Sequence, residues 1–171
     1  MIKGLYEAHL PVTDLDRSIS FYEKLGLTLW FREDPVAVFW IVPRVSCLGL
    51  WKTEISPDRN PGSFPGNGRH VAFLVDFENI DQAIKWLTDR GISPVSHNGF
   101  SPNEPIVRPH LGNASVYFDD PDGNNLELIC NLPTNSDGCN QILSMSEWRN
   151  QTREIKSELV QIKQKDEGKG K

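Results

Sequence analysis

An internal repeat constrains this chain more than any other feature. Tyr6-Glu-Ala-His-Leu-Pro-Val leads into Asp14-Leu-Asp-Arg-Ser-Ile-Ser-Phe-Tyr-Glu-Lys-Leu-Gly, and Arg69-His-Val-Ala-Phe-Leu-Val leads into Glu78-Asn-Ile-Asp-Gln-Ala-Ile-Lys-Trp-Leu-Thr-Asp-Arg-Gly. Each copy opens with a short strand and an acidic helix-start signal. Apolar residues at helical spacing follow: Leu15, Ile19, Tyr22 and Leu25 in one, Ile80, Ala83, Ile84 and Leu87 in the other. Each helix stops at a glycine, Gly26 or Gly91, the residue best suited to a left-handed helix end. Extended stretches come next: Leu27–Phe31, Val36–Val42 and Cys47–Lys52, then Ser93–Ser96, Ala114–Asp119 and Asn125–Asn131. A Pro/Gly-rich segment, 56–68, separates the copies. The pattern predicts two βαβββ modules, 4–55 and 69–132, forming one α+β domain over 4–132.

Composition narrows the class. The 171 residues are 38% hydrophobic and carry a net charge of −5, which suits a globular domain and argues against nucleic acid as a partner. Val36–Val42 is the longest apolar run, far below the roughly 20 residues needed to span a bilayer. No secretory signal is visible at the start, and Cys47, Cys130 and Cys139 form neither a CxxC pair nor an even framework. A cytoplasmic protein with reduced thiols is expected. The charge is uneven: residues 146–171 hold seven basic and five acidic side chains, a net of +2, so the rest carries −7. Trp148, Ile155, Leu159 and Ile162 mark a narrow apolar stripe there. They predict an amphipathic helix over 141–165, docked on its own domain or on a partner subunit, and a disordered tail over 166–171.

Strand alternation selects the candidate site. A βαβββ sheet covers one face with its helix, so Leu10, Val12, Val71, Phe73, Leu126 and Leu128 are expected beneath the helices. His9, His70 and Glu127 then fall on the opposite, concave face. The repeat reading matches His9 to His70 and Gly49 to Glu127, and it expects these four positions to converge where the modules pair. Two imidazoles and a carboxylate with open positions suit Fe(II) or Mn(II) Lewis-acid chemistry. The wall is expected to include Phe39, Ile41, Trp51, Ala72 and Ile129, with Trp40 on the helix side, and Phe100–His110 is a candidate cover for the cleft.

The text Ala8-His-Leu-Pro-Val-Thr-Asp-Leu, Arg69-His-Val-Ala-Phe-Leu-Val and Val116-Tyr-Phe-Asp-Asp-Pro-Asp-Gly-Asn-Asn-Leu-Glu-Leu-Ile resembles the vicinal oxygen chelate superfamily. That superfamily holds glyoxalase-type lyases, fosfomycin-resistance transferases, bleomycin-resistance proteins and extradiol dioxygenases. The resemblance implies a half-open barrel of paired modules and the metal ligands His9, His70 and Glu127. It also implies a divalent ion (Fe2+ or Mn2+, with Zn2+ or Ni2+ as alternatives), a small-molecule substrate and a homodimer. Gly49 stands where glyoxalase-type enzymes carry a glutamate, which counts against that reaction. A phosphonate-binding role falls to Arg69, Arg108 or Arg44. His110, Val116-Tyr117 and Asp120-Pro-Asp-Gly123 resemble the extradiol pattern, implying His110 as acid/base and Tyr117 as hydrogen-bond partner. Ring-cleaving chemistry is the leading expectation; a glyoxalase-type lyase or fosfomycin-type thiol transferase, and a non-catalytic drug-sequestering protein, are the alternatives.

Overall fold

The computed structural model describes residues 2–54, 69–133 and 141–155. The first module comprises β1 (Glu7–Val12), α1 (Leu15–Lys24), β2 (Thr28–Glu33), β3 (Val36–Val42) and β4 (Ser46–Lys52). The second comprises β5 (His70–Leu74), a 3-10 turn (Phe77–Gln82) running into α2 (Ala83–Thr88), then β6 (Ile106–Arg108), β7 (Asn113–Asp119) and β8 (Asn125–Asn131). The two sheets are separate, ordered β1-β4-β3-β2 and β5-β8-β7-β6-β9, where β9 is Leu143–Ser144. In each, the first strand pairs in parallel with the last, so the helix and two strands complete the crossover. The expected α+β architecture of two βαβββ modules is therefore present. Among the described residues neither sheet closes into a barrel, and β1 and β5 each stand at the edge of their sheet.

Local signals explain the helix ends. The Asp14 side chain accepts from Arg17 N at 3.0 Å, capping α1, and Gly26 (φ 81°) and Gly91 (φ 72°) adopt the left-handed conformation after each helix. Leu15, Ile19 and Tyr22 pack under sheet one, and Ile80, Ala83 and Leu87 under sheet two, in one core shared by both modules. Full burial of side chains such as Leu48, Leu50 and Leu126 stabilises the fold by about 1.5–3 kcal/mol each.

Three expectations are corrected. Ser93–Ser96 is not a strand: Pro94 makes only an isolated bridge to Phe118, since proline has no N–H for a ladder. The module's outer strand is instead β6, inside the segment read as a possible cover. Phe39 is fully buried against Tyr22 on the helix side, while the Trp40 ring stacks on half-exposed Trp30 at 4.3 Å on the other face. Every residue of Val36–Val42 is apolar, so alternation there carried no phase. The described part of the C-terminal helix runs over 145–155; Trp148 is buried edge-on against Phe77, whereas Ile155 is exposed. Leu159, Ile162, the tail over 166–171 and Cys139 lie outside the described residues. No helix among those residues is long and apolar enough to cross a membrane.

The Asp120-Pro-Asp-Gly123 turn does more than reverse the chain. Asp122, completely buried, accepts from Thr13 N (3.1 Å), Thr13 Oγ1 (2.6 Å), Arg17 NH2 (2.7 Å) and Ser18 Oγ (3.2 Å). Asp120 accepts from Tyr22 Oη at 2.9 Å, and Asn124 donates to Pro11 O at 3.0 Å. The turn before β8 is thus bonded to the β1–α1 junction and sets the modules against each other.

Candidate functional site

β5 and β8 bring two of the expected site residues together. In the parallel register His70 lies opposite Asn125 and Ala72 opposite Glu127, so His70 and Glu127 are diagonal neighbours on the concave face. Asn125 Oδ1 lies 2.8 Å from His70 Nδ1, and Glu127 Oε2 lies 2.9 Å from Nε2. Both partners present oxygens to the ring. The bond to Glu127 accordingly raises the His70 pKa, against the opposing effect of burial. Burial opposes ionisation of Glu127, but hydrogen bonds from His70, Ser115 and Tyr117 outweigh it and hold the carboxyl below its usual range. The pair sits in a nearly buried position, with Glu127 only 5% exposed.

β7 supplies the wall. Tyr117 lies directly across from Glu127, and its hydroxyl accepts from Arg108 NH2 at 2.7 Å. Burial, with Glu127 nearby, pushes the phenol up to about 12, so it keeps its proton. His70, Glu127, Tyr117, Arg108 and Ile129 line a cleft of about 410 Å3. His97, absent from the expected set, lines it too; its ring stacks on Tyr117 at 3.9 Å with planes 9° apart. Asn98 (φ 50°) and Gly99 (φ 80°) form a tight turn that begins at His97, closed by Phe100 N donating to His97 O at 3.0 Å. The Asn-Gly dipeptide is a strong hairpin signal and was the available clue. His110 stands exposed on the 109–111 turn and is not among the residues lining the cleft. Of the three arginines proposed for an anion, only Arg108 lines it; Arg44 is exposed on the β3–β4 turn and Arg69 precedes β5.

His9 is placed elsewhere. Its Nε2 lies 2.9 Å from Glu7 Oε1, and its Nδ1 accepts from Trp51 Nε1 at 2.5 Å. Among the described residues no three His, Cys, Asp or Glu side chains are grouped to hold one metal, so the expected convergence of His9 with His70 and Glu127 does not occur within one chain. The reason is topological: β1 and β5 are edges of different sheets. The repeat correspondence also shifts. His9 lies opposite Gly49 and Glu7 opposite Cys47, so Glu7, not His9, holds the place that His70 holds in the second module. The two written-out repeats already aligned Glu7 with His70 by simple counting.

His70 and Glu127 are chemically suited to a divalent ion. One neutral imidazole nitrogen and one carboxylate are borderline and hard donors, and Asn125 orients the ring from its other nitrogen. Two ligands leave most positions of a metal open.

Residues 4–128 match the family model of the Glyoxalase/Bleomycin resistance protein/Dioxygenase superfamily. Glutathione transferase FosA of Serratia marcescens is 31% identical over 132 residues, covering 75% of this chain and 81% of that protein. Metallothiol transferase FosB of Staphylococcus saprophyticus is 25% identical over 131 residues, covering 75% and 77%. FosX of Listeria monocytogenes, solved with Mn(II) and sulfate, shares the fold at a TM-score of 0.56 and 20% identity, covering 78% of this chain and 93% of that one. Together with the βαβββ topology and the His70–Glu127 pair, the match shows that this chain belongs to the Glyoxalase/Bleomycin resistance protein/Dioxygenase superfamily.

Proposed function

We propose that this protein is a divalent-metal enzyme that transfers a thiol to a small, anionic, oxygenated electrophile. The observation that carries the reading is the His70–Glu127 pair, 2.9 Å apart, beside the Arg108–Tyr117 wall. Its transferase character rests on the likeness to FosA and FosB. His70 and Glu127 would hold Mn2+ or Fe2+, with Zn2+ and Ni2+ as the next choices, and the ion would polarise the substrate oxygen. Arg108 balances the substrate's negative charge, and Tyr117, which keeps its proton, accepts from Arg108 and donates to Glu127, holding both in place. In the reaction thiol sulfur bonds to the electrophilic carbon, the C–O bond breaks, and the thiol proton ends on the released oxygen. No oxidant is needed. The ring-cleaving alternative gives His110 the proton-transfer role, and the exposed position of His110 favours thiol transfer over it.

The site needs more than one sheet edge supplies. β1 carries the Glu7–His9 pair, β5 carries His70 beside Glu127, and among the described residues both strands stand at a sheet edge. Exposed Leu5 and Tyr6 precede β1, and Leu74, 73% exposed, ends β5. We infer a homodimer in which β1 of one protomer lies beside β5 of its partner. Purified protein is expected to sediment at twice the 19.4 kDa chain mass and, with Mn(II) and a small thiol such as glutathione or cysteine, to consume the phosphonate epoxide fosfomycin. A monomer, or catechol cleavage under O2 in place of thiol consumption, overturns the respective half of this reading.

A further inference from the structure

We propose that Glu7 is the first module's metal ligand, and that His9 is a positioning residue that holds its carboxylate. This rests on the metal reading above and specifies which side chain of β1 reaches the ion. Three observations point the same way.

The first is register. Gly49 and Glu127 occupy equivalent places, each set between two leucines (Leu48 and Leu50, Leu126 and Leu128) in the last strand of its module. Opposite them lie His9 and Ala72; two residues earlier on each first strand lie Glu7 and His70. A pseudo-symmetric site therefore takes Glu7 as the counterpart of His70.

The second is hydrogen-bond logic. An indole N–H only donates, so the bond from Trp51 Nε1 requires a bare lone pair on His9 Nδ1. Nε2 then carries the proton of the neutral ring and donates it to Glu7 Oε1. Both nitrogens are committed, and neither offers a lone pair to a cation. A carboxylate has about four acceptor sites on its two oxygens, so a bond from His9 leaves Glu7 able to bind metal. An imidazole N–H to a ligating carboxylate is a common orienting contact around metal ions.

The third is space. A Cβ built at Gly49 would collide with His9 Nδ1. The imidazole therefore fills the volume that a side chain at position 49 would take, which places His9 behind Glu7 as packing and hydrogen-bond support.

Mn(II) titration by calorimetry and by EPR of free Mn(II) tests the assignment, with circular dichroism confirming that each variant folds. Glu7→Gln is expected to weaken Mn(II) by more than about 100-fold, beyond the roughly 10–100-fold typical of orienting partners, while His9→Gln, which still donates to Glu7, loses about tenfold or less. Glu7→His should keep binding, since it restores the residue type of position 70. Spin-echo modulation of the ion bound to the wild type should show one imidazole nitrogen set, and the same single set in His9→Gln. Two imidazole sets in the wild type, or tight binding in Glu7→Gln with loss in His9→Gln, overturns the proposal while leaving the metal reading intact. Failure of the wild type to bind Mn(II), Fe(II), Zn(II) or Ni(II) overturns both.

Discussion

Replacing Asp122 with alanine is expected to destabilise the protein by about 2–4 kcal/mol, because a fully buried acceptor of four hydrogen bonds is lost. The side chain is fully buried and accepts four hydrogen bonds from Thr13, Arg17 and Ser18, all in the other module. Its removal strands the Thr13 amide and the Ser18 hydroxyl as donors and leaves the half-exposed Arg17 without its carboxylate. Stranded buried donors cost about 1–3 kcal/mol each, so the loss exceeds that of one ordinary hydrogen bond. Asp122→Asn, which retains one acceptor oxygen, should lose less. Urea denaturation measures both, and an alanine loss under about 1 kcal/mol would show that the bridge does not hold the modules together.

The same residue sets an acid limit. Burial alone would raise the Asp122 pKa, yet the bonds from Thr13 and Arg17 outweigh it and lower the value below 3.8. A depressed folded pKa means stability that is present above the unfolded pKa and is lost as pH falls through the folded one. The wild type should therefore lose this contribution below about pH 4, whereas Asp122→Asn shows a flatter acid limb.

The second large effect concerns the metal. His70→Ala and Glu127→Gln are each expected to abolish measurable divalent-ion binding, because each removes one of the two side chains proposed to hold the ion on that sheet. With Mn(II) at 100 times its dissociation constant, the wild type should gain about 2.7 kcal/mol against unfolding, and the variants nothing. Thermal denaturation with and without Mn(II) reads the difference. Equal stabilisation of the wild type and His70→Ala would place the ion elsewhere. Glu127→Gln carries a second penalty without metal, since the His70 ring loses its carboxylate partner in a site where Glu127 is only 5% exposed.

Most of the fold was legible because the signals were redundant. Asp14, Gly26 and Gly91 mark helix ends by backbone chemistry, and Ala8, Leu10 and Val12 alternate with polar residues, fixing which face of β1 is buried. Legibility failed where redundancy did. Val36–Val42 has no polar residue to set its phase, so Phe39 and Trp40 were assigned to the wrong faces. The 3-10 turn Phe77–Gln82 and the three-residue β6 are too short to carry a period.

At the site, His70 and Glu127 were readable because both lie on strands of one module with firm alternation. His9 lies on the face that alternation gives it, but alternation supplies a side and not a register; the ladder sets His9 opposite Gly49 and Glu7 opposite Cys47, an offset that counting along the two repeats also contains. His97 was missed because a loop histidine has no periodicity, and only the Asn98-Gly99 turn fixes it against Tyr117.

The two open strand edges lead to a genetic consequence. In the proposed dimer half of each metal site comes from β1 of one protomer and half from β5 and β8 of its partner, so a lesion in one half leaves the other sound. Co-expressed Glu7→Gln and Glu127→Gln chains would then form mixed pairs in which one centre inherits both lesions and the other neither. Two individually dead alleles should rescue one another, an outcome closed to a protein that builds its reaction centre from a single polypeptide.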